Sequence, residues 1–279
     1  MKENIAGNWR ESASYWEKHR QIIRQMFAPV TEALIQDARV APGFNVLDVG
    51  TGPGEPALTV AQFVGNTGNV FGVDPTPEMI AAAQRASERG KIGNVRFEVA
   101  STDSLHFPAG KFDAVVSRFA AMFFPSPVEA IREILRVLKP KGYAALAVWY
   151  FADANPFHYV LSRVVERYAE PEPSAEGAAD AFRYAASGKL RAIMDQAGAI
   201  ETSERLFKFR IEAPLSVEEF WDLRSEMSDR LRSRLAKLPS QIREEVRRQV
   251  IDGLREYSTA GGMSFPAEVL IVSGRRASS

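Results

Sequence analysis

The chain has 279 residues, of which 46% are apolar and 25% charged, the balance of an ordinary folded globular protein. Its 35 Lys and Arg offset 35 Asp and Glu, and that zero net charge removes the simplest electrostatic case for a duplex nucleic-acid or anionic-membrane partner. Without a single cysteine, the chain can build no disulfide, thiolate nucleophile, Cys-ligated zinc or iron–sulfur cluster.

The opening MKENIAGNWR mixes charges and amides around no apolar core, so no secretory signal is expected there. The longest apolar run, Tyr143 to Ala152, is ten residues, too short for a membrane span. The expectation is a soluble, cytoplasmic protein. Residues 5–40 read as helical, with Ile22, Ile23, Met26, Phe27, Val30, Leu34 and Ile35 at helix-like spacing, and Pro42-Gly43 punctuates the chain. Strand-length runs follow at Asn45–Val49, Asn69–Val73, Val95–Val99, Phe112–Ser117 and Tyr143–Trp149. Helical signals separate them. Thr76-Pro77 and Ser126-Pro127 each place an N-cap before a proline at the first helical position. Glu129 is placed to complete a capping box, Ile131, Ile134, Leu135 and Leu138 form a buried stripe, and Lys139-Pro140-Lys141-Gly142 ends it. Strand–helix alternation of this kind predicts a doubly wound α/β fold with a mostly parallel sheet.

Beyond residue 150 the pattern changes. Residues 153–187, with Glu170-Pro171-Glu172-Pro173, read as a mobile insertion holding one helix near 157–169. A short helix over Lys189–Ala197 ends at Gly198, and a long strand is predicted over Ala199–Glu212. Ser216-Val217-Glu218-Glu219 opens a helical stretch by a capping box, with Phe220, Met227, Leu231, Leu235 and Leu238 as its apolar face. Ile242, Val246, Val250 and Leu254 recur every four residues on a second helix, and a final strand is expected over Ala267–Ser273.

The stretch Val46-Leu47-Asp48-Val49-Gly50-Thr51-Gly52-Pro53-Gly54 carries most of the chemistry. A strand runs into glycines at alternate positions just before a helix, where backbone must turn sharply or let a ligand approach without a Cβ in the way. Twenty residues after Gly54, at the end of the next strand, Asp74 is placed to accept both hydroxyls of a ribose. Dinucleotide folds use G-x-G-x-x-G, whereas this loop reads G-x-G-x-G with an aspartate two positions ahead.

With those residues in view, the segment Asn45 to Trp149 resembles the class I S-adenosylmethionine-dependent methyltransferases of the UbiE-like (methyltransferase type 11) group. The matching stretches are VLDVGTGPGEPALTVA, GNVFGVDPTPEMIAAA, VRFEVASTDSLHFPAGKFDAVVSRF and EILRVLKPKGYAALAVW, in the family's order. The resemblance implies a seven-stranded Rossmann-like sheet and S-adenosyl-L-methionine as cofactor, with S-adenosyl-L-homocysteine as product. It implies a helical lid over residues 1–42, a cofactor core over 43–150, a substrate cap over 151–187 and 214–262, and completion of the core by 188–213 and 263–279.

By the same resemblance, Gly50, Thr51 and Gly52 lie against the methionine and ribose portions, Asp74 holds the ribose, and Pro75 and Met79 meet the adenine. The family's Gly-Asp-Ala after the third strand is replaced by Ala100-Ser101-Thr102-Asp103, leaving Ser101 and Asp103 as alternatives for the adenine amine. Ser117 and Arg118 would offer backbone carbonyls to the ammonium, and Trp16 or Arg20 a lid contact. The run Phe119-Ala120-Ala121-Met122-Phe123-Phe124 is either plain core or a wall between cofactor and an apolar substrate.

A sulfonium methyl is already activated, so alignment supplies much of the catalysis, and phenols or enols also need a proton removed. His158 is the first candidate for that base, with Tyr15 and Tyr159 behind it, and His106 reads as a surface residue. Asn155-Pro156-Phe157 follows the wrong strand and lacks the second proline of the amine-methylating Asn-Pro-Pro motif. No metal set is apparent. The leading reading is methyl transfer to an oxygen or carbon, less readily a nitrogen, of a small, partly apolar molecule. A non-catalytic nucleotide-binding module, an NAD-dependent oxidoreductase and an RNA methyltransferase are the alternatives. The excess of nine Arg and Lys over six Asp and Glu between Arg224 and Glu256 is read as a solvated helix face, because no aromatic platform is interleaved with it. No nucleic-acid partner is expected, and a homodimer is the assembly considered.

Overall fold

A computed structural model describes residues 2–169 and 179–278. The chain begins with helices α1 (Lys2–Lys18), α2 (Arg20–Met26) and α3 (Ala28–Asp37). Strands and helices then alternate: β1 (Asn45–Val49), α4 (Ala57–Val64), β2 (Asn69–Asp74), α5 (Pro77–Gly90), β3 (Val95–Val99), β4 (Phe112–Arg118), α6 (Pro127–Val137) and β5 (Leu138–Trp149). After α7 (Pro156–Val165) and α8 (Lys189–Gln196), the long strand β6 (Ile200–Ala213) leads into α9 (Val217–Met227), α10 (Asp229–Ala236) and α11 (Ser240–Leu254). The two-residue β7 (Ser258–Thr259) and β8 (Gly262–Arg275) complete it.

The sheet order is β3-β2-β1-β4-β5-β8-β6, with β7 paired to β8. The first five strands are parallel, and β8 runs antiparallel to both neighbours. This is the doubly wound, mostly parallel sheet that the alternation predicted. Val46, Leu47 and Val49 on β1 and Ala114, Val115 and Val116 on β4 are fully buried, which is why these strands read as unbroken apolar runs: helices cover both faces. The chain leaves β1 toward β2 on one side while β4 lies on the other, and the crevice opened by that reversal is where α/β sheets bind ligands.

Several boundaries differ from expectation for identifiable reasons. Leu138 belongs to β5 and not to the helix before it, because it pairs with Phe112, and the register then shifts before Ala114 meets Tyr143. The apolar face assigned to one helix after Ser216 is split between α9 and α10, since the Ser228 side chain accepts from the Leu231 amide and starts a new helix. β8 begins at Gly262, ahead of the predicted Ala267, and carries Pro266 inside the strand opposite Arg210. A proline there removes a ladder donor and hid the extension. Within 153–187, the described residues from 179 onward are tied to the body: Phe182 and Tyr184 pack inward, and Arg183 donates to the Phe124 carbonyl at 2.9 Å. The Glu170-Pro171-Glu172-Pro173 stretch lies outside the described residues.

Candidate active site

The glycine loop hangs from the end of β2. Gly50 and Thr51 donate their amides to the Val73 carbonyl at 2.8 and 3.0 Å, and Gly50, Gly52 and Gly54 all have positive φ. Asp74 closes the arrangement by accepting from the Gly52 amide at 3.1 Å and the Thr76 amide at 2.9 Å. Burial pushes the Asp74 carboxyl up, and those two amides pull against it. Each carboxylate oxygen keeps lone-pair capacity beyond its backbone donor. A β-carbon on Gly52 would meet nothing within 4 Å, so the loop opens onto space at the residue Asp74 holds. Trp16 Nε1 is shut off from solvent with no acceptor. A carboxylate with spare capacity, a bare loop face beside it and an unspent indole donor fit an adenosyl cofactor.

Beneath the loop lies a buried charge cluster. Asp48 caps α4 by accepting from the Ala57 amide at 3.0 Å. Burial raises its carboxyl to about 7, against the lowering influence of the Thr51 hydroxyl and Arg118. The Arg118 guanidinium turns into the gap below α3, donating to Thr31 Oγ1 at 2.8 Å and to the Phe27 and Glu55 carbonyls at 3.4 and 3.5 Å. Arg20 and Arg24 on α2 approach the Glu55 carboxylate at 3.7 and 3.6 Å. Arg20 therefore reaches the cofactor loop through Glu55, a residue that sequence reasoning passed over.

The other expected site residues spread along the same edge. Met79 is buried under the start of α5 and Pro75 is exposed. Ser101 is exposed, Thr102 buried and Asp103 half-buried, with the Asp103 amide 3.5 Å from Ser101 Oγ. The Ser117 hydroxyl donates to the Val49 carbonyl at 2.8 Å and ties β4 to β1. On α1, Trp16 meets Trp9 edge-on at 6.0 Å, and Trp9 meets Phe123 at 5.3 Å. Tyr15 lies under the Arg232 guanidinium, and His19 bonds Glu226 at 2.6 Å. His106 is exposed.

Past the ends of β4 and β5 stands an aromatic wall. Phe119, held at a positive φ, stacks on Trp149 at 4.5 Å with the rings 2° from parallel. Trp149 then meets His158 edge-on at 4.4 Å, and Phe157 contacts Phe220 at 5.8 Å. His158 is half-buried, its Nε2 is shut off from solvent without a hydrogen-bond partner, and desolvation together with Arg224 holds its pKa well below the usual imidazole value. Tyr159 is engaged elsewhere, its hydroxyl 2.9 Å from that of Tyr257. The amide of Asn155 exchanges hydrogen bonds with the Glu268 backbone, at 2.9 Å to the nitrogen and 3.1 Å to the oxygen. That structural employment is consistent with setting the amine-methylating motif aside.

Arg224 corrects the reading of its segment as a solvated face. Its guanidinium sits 3.9 Å over the Phe157 ring, its Nε is buried without an acceptor, and burial alone lowers its pKa to about 10. The clue was present: Arg224 stands four residues after Phe220 and three before Met227, inside the apolar stripe of α9.

Comparison with known proteins settles the family. The methyltransferase domain family matches residues 47–146. The ubiquinone/menaquinone biosynthesis C-methyltransferase UbiE of Ectopseudomonas mendocina is 32% identical over 59% of this chain and 68% of its own. The chain belongs to the class I methyltransferases of the UbiE-like type.

Other methyltransferases extend the match. Nocamycin O-methyltransferase of Saccharothrix syringae is 27% identical over 90% of this chain and 92% of its own. The uncharacterized methyltransferase YcgJ of Bacillus subtilis is 31% identical, over 58% of this chain and 62% of YcgJ. The YcgJ crystal structure superposes with a TM-score of 0.57 at 22% identity, covering 90% of this chain and all of that one, which shows the shared fold. S-adenosylmethionine is the cofactor of this methyltransferase family, and the glycine loop with Asp74 is the part of the chain that fits it. Among the described residues, no helix is long and apolar enough to cross a membrane, and no group of three or more His, Asp or Glu is placed to hold a metal ion.

Proposed function

We propose that this methyltransferase alkylates an oxygen or carbon atom of a small, partly apolar molecule bound between the glycine loop and the helices α7 and α9. The observation that carries this reading is the aromatic wall. Phe119 on Trp149 presents flat apolar surface directly beyond the cofactor loop, at the carboxyl ends of β4 and β5. Two of the chain's relatives, named as an O-methyltransferase and a C-methyltransferase, support the same choice of acceptor atoms.

S-adenosylmethionine, when bound, supplies a methyl on a sulfonium sulfur; transfer breaks that carbon–sulfur bond, leaves its electron pair on sulfur and joins the methyl to the acceptor. The chain's own residues bind, orient and exclude water. Asp74 accepts the ribose hydroxyls, and the bare Gly52 lets the loop backbone approach. Pro75 and Met79 flank the adenine, with Ser101, Thr102 or Asp103 at its amine. The Ser117 and Arg118 carbonyls lie at the β4 end for the ammonium. Trp16 and Arg20 cover the site from α1 and α2. Phe119 and Trp149 keep water from the reacting atoms and hold the acceptor flat, and His158 Nε2 is the candidate hydrogen-bond and proton acceptor for it. The helical segments 151–187 and 214–262 serve as the substrate cap over a core spanning 43–150, with residues 1–42 as lid.

The test is calorimetric titration of the purified protein with S-adenosylhomocysteine and, separately, NADH, followed by mass-spectrometric screening of phenols, enols, carboxylic acids and amines for a gain of one methyl. Micromolar binding of S-adenosylhomocysteine without NADH binding, and methylation confined to O or C acceptors, are the expected results. Methylation of amines alone would overturn the choice of acceptor atom. Failure to bind the adenosyl compound would return the non-catalytic reading.

A further inference from the structure

Among the described residues, Arg224 is a cation without a counterion. No carboxylate among them lies within ion-pairing distance of it, although most other buried or half-buried arginines in the chain are paired or bonded to carbonyls: Arg118 to Thr31 and two carbonyls, Arg232 to Asp229, Arg136 to Glu133. Its surroundings make the vacancy costly. Phe157 lies under the guanidinium, the Arg224 charge is felt by His158, and the Nε–H points at no acceptor. An uncompensated charge in such a place destabilises the fold, since a side chain of similar volume without charge would serve packing at least as well.

Its position gives that cost a use. Phe157 stacks on Trp149 at 6.0 Å, and Trp149 stacks on Phe119 at 4.5 Å, at the loop that follows β4. A cation two rings from the cofactor edge, on the side where the acceptor must lie, is a receptor for negative charge on that acceptor.

We propose that Arg224 binds an ionised oxygen of the methyl acceptor, so that the substrate is an acidic aromatic or conjugated molecule carrying a carboxylate, phenolate or enolate. The inference rests on the small-molecule reading above and narrows it. The acceptor enters as its anion, its proton already left to solvent, so that His158, the candidate base in the reading above, is needed during transfer only as a hydrogen-bonding group. A cation beside His158 disfavours imidazolium, which agrees with a site that receives the acceptor already ionised. Ionised oxygen also accommodates either outcome, since a carboxylate or phenolate is methylated on oxygen and an enolate or phenolate on the adjacent carbon, a phenolate's ring proton then leaving that carbon to water as the ring regains its aromaticity.

The test compares anions with their neutral isosteres on the whole protein, with and without saturating S-adenosylhomocysteine. Benzoate is set against benzamide and 4-nitrophenolate against 4-nitroaniline, by calorimetry above the pKa of each acid. The expected result is at least about tenfold tighter binding of one anion than of its neutral partner, and whichever of the two acids wins distinguishes a carboxylate from a phenolate or enolate substrate. In Arg224→Gln that preference should vanish while binding of the neutral compounds and of S-adenosylhomocysteine is unchanged. Arg224→Lys should retain part of it. A structural role would instead lower the melting temperature of Arg224→Gln, where an unpaired charge predicts a melting temperature equal to or above the parent's. Equal binding of anion and isostere by the unmutated protein overturns the proposal, and so does a preference that survives Arg224→Gln. Loss of S-adenosylhomocysteine binding by the unmutated protein would strike the methyltransferase reading instead, and the anion comparison without it would still be read.

Discussion

Gly50 and Ala120 approach so closely that a β-carbon on Gly50 would lie 2.2 Å from the Ala120 Cβ. The turn after β1 is thereby pressed against the turn after β4, and the two edges of the ligand crevice are set by one contact. Gly50→Ala combines this overlap with a φ of 73° and should cost about 2–5 kcal/mol of stability. Gly52→Ala is the contrast, with a φ of 53° and nothing within 4 Å: about 1 kcal/mol of strain, but a methyl group placed in the space proposed for the cofactor. Denaturant melts and S-adenosylhomocysteine titrations separate the two. Gly50→Ala should lose both stability and binding, Gly52→Ala chiefly binding; a Gly52→Ala protein with unaltered affinity would contradict the assignment of the loop.

Asp74 has two duties, and its removal should show both. Asp74→Ala deprives the Gly52 and Thr76 amides of their acceptor, for a loss of about 1–3 kcal/mol. It also removes the carboxylate assigned to the ribose, and affinity for S-adenosylhomocysteine should fall by about tenfold to a hundredfold. The fold should survive, as judged by circular dichroism. Unchanged affinity in that variant would dismiss the ribose role.

Two desolvated groups pull the pH dependence of stability in opposite directions. Asp48, raised to about 7, keeps its proton in the folded protein over a range in which the unfolded chain, at 3.8, has released it. Stability from this group therefore falls as pH rises from about 4 to 7, by an amount on the order of 2–4 kcal/mol. His158 is held below its ordinary 6.5, so the unfolded chain takes up a proton first and stability falls as pH drops through that value. In ligand-free protein, the melting temperature of Asp48→Asn minus that of the parent should grow between pH 5 and pH 8. The same difference for His158→Gln should grow in the acid direction instead. Flat differences would show that these groups ionise alike in both states.

The N-terminal helix is held on two sides by charge. Glu17 meets Arg85 and Arg89 of α5 at 2.5 and 3.2 Å, while Lys18 and His19 meet Glu226 of α9 at 2.7 and 2.6 Å. Such partly exposed pairs are worth about 0–1 kcal/mol each and weaken with salt. Neutralising Glu17 and Glu226 together to glutamine, or adding salt to roughly 0.5 M, should speed tryptic cleavage after Lys18. S-adenosylhomocysteine should slow it. Cleavage rates indifferent to both changes would mean that packing of the Trp16 face alone holds the helix.

The cofactor side of the site was legible because its parts are local. Gly52 and Asp74 stand 22 residues apart within one strand–helix–strand unit, and each strand end announces itself in the pattern. The proposed acceptor side draws Phe27, Phe119, Trp149, Phe157 and Phe220 from separate elements, and nothing in the spacing of those residues says that their rings meet. Arg224 was harder still. Its place in the apolar stripe of α9 can be read from the sequence, but its lack of a counterion is a property of everything packed around it. Glu55 was hidden for the same reason, since Arg20 and Arg24 reach it from a helix some thirty residues away.

Where β5 ends, the Glu268 carbonyl accepts from both the Tyr150 amide at 3.2 Å and the Asn155 side chain at 3.1 Å, and the Asn155 side-chain oxygen accepts from the Glu268 amide at 2.9 Å. The sheet thus continues, through one amide, into the first turn of α7, and Phe157 and His158 are in effect fixtures of the core. Arg224 belongs to the other party, carried by a helix whose start is defined by its own Ser216–Glu219 capping box. In the proposed pocket, the boundary between the part tied to the sheet and the part carried by the later helices therefore runs between Phe157 and Arg224, 3.9 Å apart. If the helices after β6 cap the proposed acceptor site, exchanging them would give the same aromatic floor a different ceiling, and with it a taste for a different acceptor.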